Sequence, residues 1–577
     1  MTSLPVPGAH IQDIGTVHQS VTAYFSGIMV EQSLTSFTFF NVAVADSSIP
    51  SFTTDDVWRI ATFALPSFVT LSFILLTIWE YQSWRRLSHI PGPPAAHFTI
   101  LWLLKHAWVG NLFPSMVDAG NKYGDLVRIG PNLLLCSDPD ELRRISGIRT
   151  KYTKGPAYDA GRVTEGDPHV ASQRDPARHK ALRAKMGTAY SVDVQPVIDR
   201  QISKLIDLID RKYATNRTST NPTAEGRRNE TSARIMNFGE KMHFYALDCL
   251  GAFAFGEPFG FLQKDEDINR MTQINDLSLR MVTVAGLVPW LSGLRTMWPF
   301  RCLVPKEGDK VGFGILFGFA KNLVDRRTAP DAKPKNDMMQ EFIRSGMTRD
   351  ELMQQVYIHI IAGSDTTSNW SRMVMLCLLT CPPAYMALQQ EIDAATASGA
   401  LSYPTATDAE SRSLSYLDAV LREAMRMHPP SVSPSKLSPE GVDTVCGYAV
   451  PGGTQIGANV PGVLRSQAVF GPDADCFRPE RWLEAAEEED GYRLSRMKST
   501  LALVFGAGKF QCMGTHIAYM EVRKLFVELM RRFDFAIVDN KRPLHVESLA
   551  IMVVHDFNVR ITRRTRFPML DREDAEA

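Results

Sequence analysis

Near the C-terminal end of the chain, a glycine-rich loop carries a cysteine directly before a predicted helix. Phe505, Gly508 and Gly514 surround Cys512, and the apolar spacing of residues 514–532 predicts the helix. The free N–H groups and the dipole at a helix N-terminus stabilise a thiolate. A thiolate held in this way is a suitable axial ligand for haem iron. Taken alone, the loop also fits a simple turn.

A second pattern that could do chemistry lies inside the long apolar run 349–379, where Ala362, Gly363, Asp365 and Thr366 occur together. Glycine and threonine are poor helix formers, and a threonine hydroxyl can bond the carbonyl four residues back and bend the helix. We expect a local opening in which Ala362 and Gly363 leave room for dioxygen. Asp365 and Thr366 would relay protons to it. An imperfect core helix is the alternative for this stretch alone.

Two charged residues form the third pattern. Glu423 and Arg426 lie three apart in the predicted helix 416–427, so they share one face and can pair. Most such pairs are solvated surface charges. The later cluster 477–482 contains Arg481, and a buried Glu–Arg–Arg triad would fix the segment around the cysteine loop.

Together, the three patterns resemble the cytochrome P-450 family in their order and spacing. The run 362–367 resembles the oxygen-binding signature of that family, the Glu–Arg pair its structural pair, and 477–482 its meander motif. The cysteine loop is similar to its haem-binding loop, and the resemblance covers residues 90–565. It implies a mainly α fold with small β-sheets and haem b bound through the thiolate of Cys512.

Further matches concern the haem propionates. His179 and Arg183 resemble the helix whose polar residues reach a propionate, and Lys436 lies where a basic residue commonly does the same. An ordinary surface charge is the alternative for each. The family usually has a basic residue two positions before the cysteine, but this chain has Phe510 there. Lys509 is adjacent and would point differently, so haem affinity or redox potential is expected to differ.

The resemblance implies that one oxygen atom from O₂ is inserted into an organic substrate with two electrons from NADPH. The chain contains no flavin or nicotinamide motif, so the expected partner is a separate NADPH-dependent flavoprotein reductase. Lys509, Arg523 and Lys524 are candidate docking charges, with plain surface charges as the alternative. The apolar run 98–109 favours a small apolar substrate. The run 184–191 resembles fungal members that tailor secondary metabolites such as terpenoids, polyketides or alkaloids.

The N-terminal region predicts attachment to a membrane. Residues 60–79 carry no charge and, as a helix, would reach roughly 30 Å, the thickness of a bilayer hydrocarbon core. Arg85 and Arg86 follow, so the positive-inside rule places the later chain in the cytosol. The predicted organisation in the endoplasmic reticulum membrane is a lumenal extension 1–58, a single transmembrane helix 59–80, a basic and proline-rich linker 81–94 and a catalytic domain 95–577. A buried core helix is the alternative for the span.

Composition bounds the remaining possibilities. Lys+Arg and Asp+Glu both number 63, and a net charge of +0 argues against a nucleic-acid binder. The eight cysteines show no zinc-type spacing. Long amphipathic runs between 176 and 430 predict helices, and the alternation at 549–563 predicts a hairpin. The sequons at Asn216 and Asn229 would face the cytosol and stay unused.

Three other functions remain open from the sequence. A haem-thiolate isomerase or dehydratase would need neither O₂ nor a reductase, and the presence of both Asp365 and Thr366 argues against it. A non-catalytic, membrane-tethered haem sensor would bind haem without turning over a substrate. A helical membrane scaffold without cofactor would show no haem absorption. Product formation without NADPH would identify the first of these.

Overall fold

The computed structural model describes residues 84–162, 168–215, 234–289, 313–432 and 435–564, with scattered positions between 67 and 82. The chain divides into two units, Met1–Leu75 and Leu76–Ala577, and nearly all described residues belong to the second. The predicted span 59–80 lies almost wholly outside the described residues, as do the sequons at Asn216 and Asn229. Among the residues described, no single helix has the length and apolar character needed to cross a membrane. One bent pair, Arg349–Thr380 with Pro382–Ala397, meets both requirements jointly.

Helices dominate the described structure, which confirms the predicted mainly α fold. Most follow the apolar periodicity of the sequence, and several begin at a side-chain cap such as Asp138, Asp175 or Asn237. The helices are α1 Leu101–Val109, α2 Leu112–Tyr123, α3 Pro139–Ser146, α4 Pro176–Met186, α5 Gln195–Leu208, α6 Phe238–Phe255, α7 Phe261–Lys264, α8 Met271–Leu287, α9 Phe313–Thr328, α10 Met338–Arg344, α11 Arg349–Thr380, α12 Pro382–Ala397, α13 Asp408–Arg412, α14 Ser415–Met427, α15 Val460–Val463, α16 Gln467–Phe470, α17 Glu480–Glu487, α18 Tyr492–Leu501 and α19 Thr515–Arg532.

The strands are short and form small sheets, also as predicted. They are β1 Leu126–Gly130, β2 Leu133–Cys136, β3 Thr153–Lys154, β4 Ala214–Thr215, β5 Ile235–Asn237, β6 Lys436–Leu437, β7 Val442–Val445, β8 Tyr448–Pro451, β9 Gln455–Ala458, β10 Phe533–Ile537, β11 His545–Ser548, β12 Met552–His555 and β13 Asn558–Arg563. One sheet has the order β1-β2-β9-β6-β3. A second has the order β10-β13-β4 with β5 also paired to β13, and β7–β8 and β11–β12 are two-stranded.

The long helix α11 runs through the main apolar core. Its start is fixed by a capping box, in which Glu351 N–H donates to Thr348 Oγ1 and Thr348 N–H donates to the Glu351 carboxylate. Most of its side chains are buried, as are nearly all of those on α6. Arg372 Nε on α11 donates to Gly239 O on α6 at 2.9 Å, which ties the two helices together.

The predicted hairpin at 549–563 is wrong, although both of its strands exist. β12 pairs antiparallel with β11, and β13 pairs antiparallel with β10. Between them, Asp556 has a φ of 60° and Phe557 is fully buried, so the chain leaves one sheet and enters another. Alternation along a strand predicts which face is buried, but it does not determine the partner strand.

The segment predicted as a linker packs against the folded chain. Leu87 and Ile90 are buried in an apolar cluster that also contains Cys136, Val450 and Leu503. Arg86 Nη2 donates to Gly452 O at 2.9 Å. From residue 84 onward, therefore, this segment is part of the same folded unit.

Candidate active site

The cysteine loop is held by its backbone. Cys512 N–H donates to Phe505 O at 2.7 Å, which closes the loop just before α19, whose N-cap residue is Gly514. Gly508 has a φ of +56°, and a Cβ there would lie 2.2 Å from Ser146 O. Only glycine fits this position, because α3 ends against the loop. The local structure thus presents Cys512 at a helix N-terminus, as the sequence predicts.

The Cys512 side chain is surrounded by protein although solvent reaches it. The residue is exposed, yet burial by the surrounding protein is the main influence on the thiol and raises its pKa. Hydrogen bonds from the Gly514 N–H and the Thr515 hydroxyl, and the charge of Arg183, act in the opposite direction. Binding to a metal ion deprotonates such a thiol outright.

One face of α11 is open in the middle of an otherwise buried helix. Ala362 is exposed and Thr366 is half-exposed, while Ile361 is buried. Thr366 Oγ1 donates to Ala362 O at 2.8 Å, which is the bond to the carbonyl four residues back. Gly363 faces a neighbour, because a Cβ there would lie 3.0 Å from Leu250 Cδ1 on α6. Gly363 therefore allows the two helices to approach closely.

Tyr190 connects the cysteine loop with α11, and sequence reasoning missed it. A Cβ on Gly514 would lie 4.0 Å from Tyr190 Cε1. The Tyr190 hydroxyl lies 3.0 Å from His359 Nε2, and His359 Nδ1 lies 2.6 Å from Gln355 O. This contact brings the sulfur-bearing loop close to the helix that carries Thr366. No spacing rule points to Tyr190, because its partners are distant in sequence.

Asp365 lies in a buried polar cluster between three helices. Asn275 Nδ2 on α8 donates to its carboxylate, and His243 Nε2 on α6 lies 3.3 Å from Asp365 Oδ1. Burial and the nearby charge of Asp276 raise the pKa of Asp365 to about 7, against the opposite influence of Arg372 and the Asn275 hydrogen bond. Burial lowers the pKa of His243 to about 3, so this imidazole is neutral at pH 7. Asp365 thus changes its charge near neutral pH.

Five basic side chains gather beside the cysteine loop around Phe510. The Nζ atoms of Lys436 and Lys509 lie 5.3 and 5.1 Å from the Phe510 ring centroid, and the His179 ring centre lies 6.2 Å from it. Arg183 Nη1 donates to Gln511 O at 2.8 Å. The fifth is Lys154, which pairs with Lys436 across β3 and β6 and which no sequence motif indicated. We call these five residues the basic cluster: Lys154, His179, Arg183, Lys436 and Lys509.

The basic cluster carries positive charge that neutral partners satisfy only in part. Lys154 Nζ donates to Val170 O and Ala171 O at 2.8 and 2.7 Å. Burial, with the charge of Arg183, lowers the pKa of Lys154 to about 7. Burial, with the charge of Lys509, lowers the pKa of Lys436 to about 8. An anion that binds among these groups would relieve the repulsion between Lys154 and Arg183 and between Lys436 and Lys509.

Glu423 is the centre of a buried ion network. Arg426 Nη2 and Nε lie 2.7 and 2.9 Å from its two oxygens, and Arg481 Nε lies 3.0 Å from Oε1. Trp482 Nε1 donates to Oε2 at 2.9 Å. Burial alone would raise the pKa of Glu423, but Arg426 and Arg481 lower it overall. All three charged side chains are fully buried.

The two arginines also bind the chain that follows β9. Arg426 Nη1 donates to Leu464 O and Ala474 O at 2.8 and 2.5 Å. Arg481 Nη2 donates to Asp473 O and Cys476 O at 2.9 and 3.1 Å. The network therefore fixes residues 464–476, a stretch with little regular structure that leads towards the cysteine loop.

The prediction that Arg523 and Lys524 are docking charges is wrong. Arg523 and Lys524 are buried on α19, where Arg523 pairs with Asp408 at 3.1 Å and Lys524 with Asp199 at 2.8 Å. Acidic side chains from other parts of the chain neutralise them, so they hold the fold together. Lys509 is half-buried and donates to Thr150 O at 2.9 Å.

Comparison with known proteins identifies the class of enzyme. The family model for cytochrome P-450 matches residues 91–557. The chain belongs to the cytochrome P-450 family. It is 33% identical over 515 residues to the cytochrome P-450 monooxygenase ABA1 of Pyricularia oryzae, covering 88% of this chain and 98% of the relative. It is 33% identical over 484 residues to aba1 of Botryotinia fuckeliana, 82% of this chain and 92% of that protein. The monooxygenase cicH of Emericella nidulans is 29% identical over 509 residues, 85% of this chain and 97% of the relative.

As a cytochrome P-450 monooxygenase, the chain uses haem with a cysteine thiolate ligand and takes electrons from a reductase partner. The residues present fit this group. A cysteine lies directly before the N-terminus of α19, and a partly buried basic cluster beside it suits the two propionate groups of haem b.

Proposed function

We propose that this cytochrome P-450 binds haem b through Cys512 and inserts one oxygen atom from O₂ into a small apolar substrate. The position of Cys512 carries the proposal, because this exposed cysteine lies directly before α19 and beside the basic cluster. When bound, haem supplies dioxygen activation and oxygen insertion. Electrons come from an NADPH-dependent flavoprotein reductase.

The basic cluster would hold the propionates. Arg183, Lys436 and Lys154 lie near the loop as basic donors, and hydrogen bonds between charged groups are about twice as strong as neutral ones. Burial lowers the pKa of His179 to about 4, so His179 would donate as a neutral imidazole. Phe510 cannot make such a bond. Lys154 would take the place of the basic residue that Phe510 replaces, because it is buried beside Arg183, and a bound anion would oppose the burial and repulsion that lower its pKa to about 7.

Thr366, on the open face of α11, and Asp365, buried in the polar cluster beside it, would manage protons. The Thr366 hydroxyl rests on Ala362 O and can turn to donate into the opening beside it. Asp365 is buried against Asn275 and titrates near neutral pH, so it can hold or release a proton under cellular conditions.

The cellular setting belongs to the same proposal. Similarity to fungal monooxygenases supports a tailoring step in secondary-metabolite biosynthesis, acting on a terpenoid, polyketide or alkaloid. We further propose an anchor at 59–80, with the catalytic domain on the cytosolic side of the endoplasmic reticulum. Exposed apolar side chains support uptake of substrate from a bilayer, among them Leu101 and Trp108 on α1, which are 63% and 72% exposed.

A carbon monoxide difference spectrum of the reduced protein tests the ligand. We expect the red-shifted band typical of a thiolate ligand in the wild type and in Cys476→Ser, which removes an exposed thiol elsewhere. Cys512→Ser should abolish the band. Retention of the band in Cys512→Ser would show that another side chain binds the iron.

A further inference from the structure

Two cysteines that do not belong to the Cys512 loop lie side by side. Cys136 ends β2 and Cys446 occupies the turn between β7 and β8, and their sulfur atoms are 3.8 Å apart. This is contact distance for two unbonded sulfurs, and a disulfide bond is about 2.05 Å long. The two sulfurs would have to approach each other by somewhat less than about 2 Å to form the bond.

The turn that carries Cys446 is unusual for its residue type. Val445 pairs with Tyr448, so the hairpin has a two-residue loop made of Cys446 and Gly447, with φ values of 48° and 81°. Two-residue loops with positive φ at both positions strongly favour Asn-Gly or Asp-Gly. Cysteine tolerates this conformation poorly. The side chain placed there nevertheless reaches Cys136.

The two thiols differ in how an oxidant would reach them. Cys446 is half-buried at the tip of its hairpin, whereas Cys136 is fully buried. The hydrogen bond with Cys446, together with burial, raises the pKa of Cys136 well above its usual value. An oxidant from solvent therefore meets Cys446 first, and Cys136 is positioned to react second.

We propose that Cys136 and Cys446 form a reversible intramolecular disulfide when the protein meets hydrogen peroxide. The Cys446 thiolate attacks one peroxide oxygen, the O–O bond breaks, and the departing hydroxide takes up a proton to leave as water. The Cys136 sulfur then attacks the sulfur of the resulting sulfenic acid, the S–O bond breaks, and a second water leaves with the Cys136 proton. Two thiols and one peroxide thus give one disulfide and two waters.

The disulfide would join β2 to the β7–β8 hairpin inside the apolar cluster that also contacts the cysteine loop. Cys136 belongs to the apolar cluster that contains Leu503, with Cys446 and Ala507 packed against it. Leu503 and Ala507 lie in the chain that leads to Cys512. A covalent link between β2 and the β7–β8 hairpin would hold this support together. Disulfides that close long loops restrict the unfolded chain most strongly.

The test uses full-length, haem-loaded protein treated with dilute hydrogen peroxide, alkylated, digested without reductant and analysed by mass spectrometry. We expect a linked peptide pair containing Cys136 and Cys446 that dithiothreitol separates. The pair should be absent in Cys446→Asn, which restores a favoured Asn-Gly turn and keeps the fold. It should form normally in Cys377→Ser, which removes a buried thiol on α11.

Oxidation of the exposed Cys476 shows that the peroxide has reacted with the protein. If Cys136 and Cys446 are then both found alkylated and unlinked, the proposal is overturned. A linked peptide that joins either cysteine to a different one would overturn it as well. Because peroxide is added directly, formation of the disulfide does not depend on monooxygenase activity. Failure of this proposal is therefore distinguishable from failure of the proposed function.

Discussion

Asp365 and Thr366 are neighbours on α11, but their side chains lie in different surroundings. The Thr366 hydroxyl is on the open face and donates to Ala362 O, whereas the Asp365 carboxylate is buried against Asn275 and His243. A direct relay between them would need movement of one side chain or an intervening water. The structure therefore separates a hydroxyl that faces the opening from a buried carboxyl group whose pKa burial raises to about 7.

Thr366→Ala should uncouple electron use from product formation. Loss of the hydroxyl removes the hydrogen-bond donor from the open face and leaves haem binding intact. We expect NADPH consumption to continue with a several-fold lower yield of product per NADPH, since a positioned acid–base group contributes about 10²-fold or more to rate. Thr367→Ala, a buried neighbour, is the control. Equal coupling in both variants would remove Thr366 from the proton path.

Asp365→Asn should change the pH dependence of turnover. The raised pKa of about 7 means that wild-type Asp365 is mostly protonated below pH 7 and ionised above it. We expect a transition near pH 7 in the pH–rate profile of the wild type and its absence in the variant. A transition of the same size at the same pH in Asp365→Asn would show that another group titrates there.

The backbone of the cysteine loop was predictable because its signal is local. Cys512, its glycines and the following helix lie within one short stretch, and Glu423 and Arg426 are one helical turn apart. Lys154 and Tyr190 could not be found in this way, because their importance arises from burial against residues far away in sequence. Arg523 and Lys524 were misjudged for the same reason. Lysine and arginine are mostly exposed unless paired, and their partners Asp408 and Asp199 come from other parts of the chain.

Lys154→Met should weaken haem retention. The variant removes a buried positive charge from the basic cluster while keeping the length of the side chain. A hydrogen bond to a charged group contributes about 1.5–3 kcal/mol, so we expect haem to transfer to apomyoglobin roughly tenfold faster or more. Lys151→Met, on the exposed part of the same segment, is the matched control. Identical transfer rates for the two variants would contradict a role for Lys154 at the propionates.

Glu423→Gln should destabilise the fold and lower haem content. The change leaves Arg426 fully buried without a counter-charge and leaves Arg481 with Asp473 as its remaining acidic partner, and breaking a buried pair in this way costs about 3–5 kcal/mol. Denaturant unfolding and the haem-to-protein ratio measure the two effects. Glu484→Gln removes an exposed partner of Arg478 and should cost less than about 1 kcal/mol. Similar losses for both would mean that the network does not fix the segment 464–476.

Glu521→Gln should flatten the dependence of stability on pH. Burial raises the pKa of Glu521 to about 8 from 4.5, against a hydrogen bond with Cys249 that lowers it. Between these values the folded state binds more protons than the unfolded state, so the free energy of unfolding falls as pH rises from about 4.5 to about 8. At roughly 1.4 kcal/mol per pKa unit, the free energy of unfolding of the wild type falls by a few kcal/mol across this window.

Denaturant titrations at several pH values measure this effect. The free energy of unfolding of Glu521→Gln should fall by less, whereas Glu489→Gln, in an exposed segment, should follow the wild type. Parallel curves for wild type and Glu521→Gln would show that Glu521 stays ionised in the folded protein.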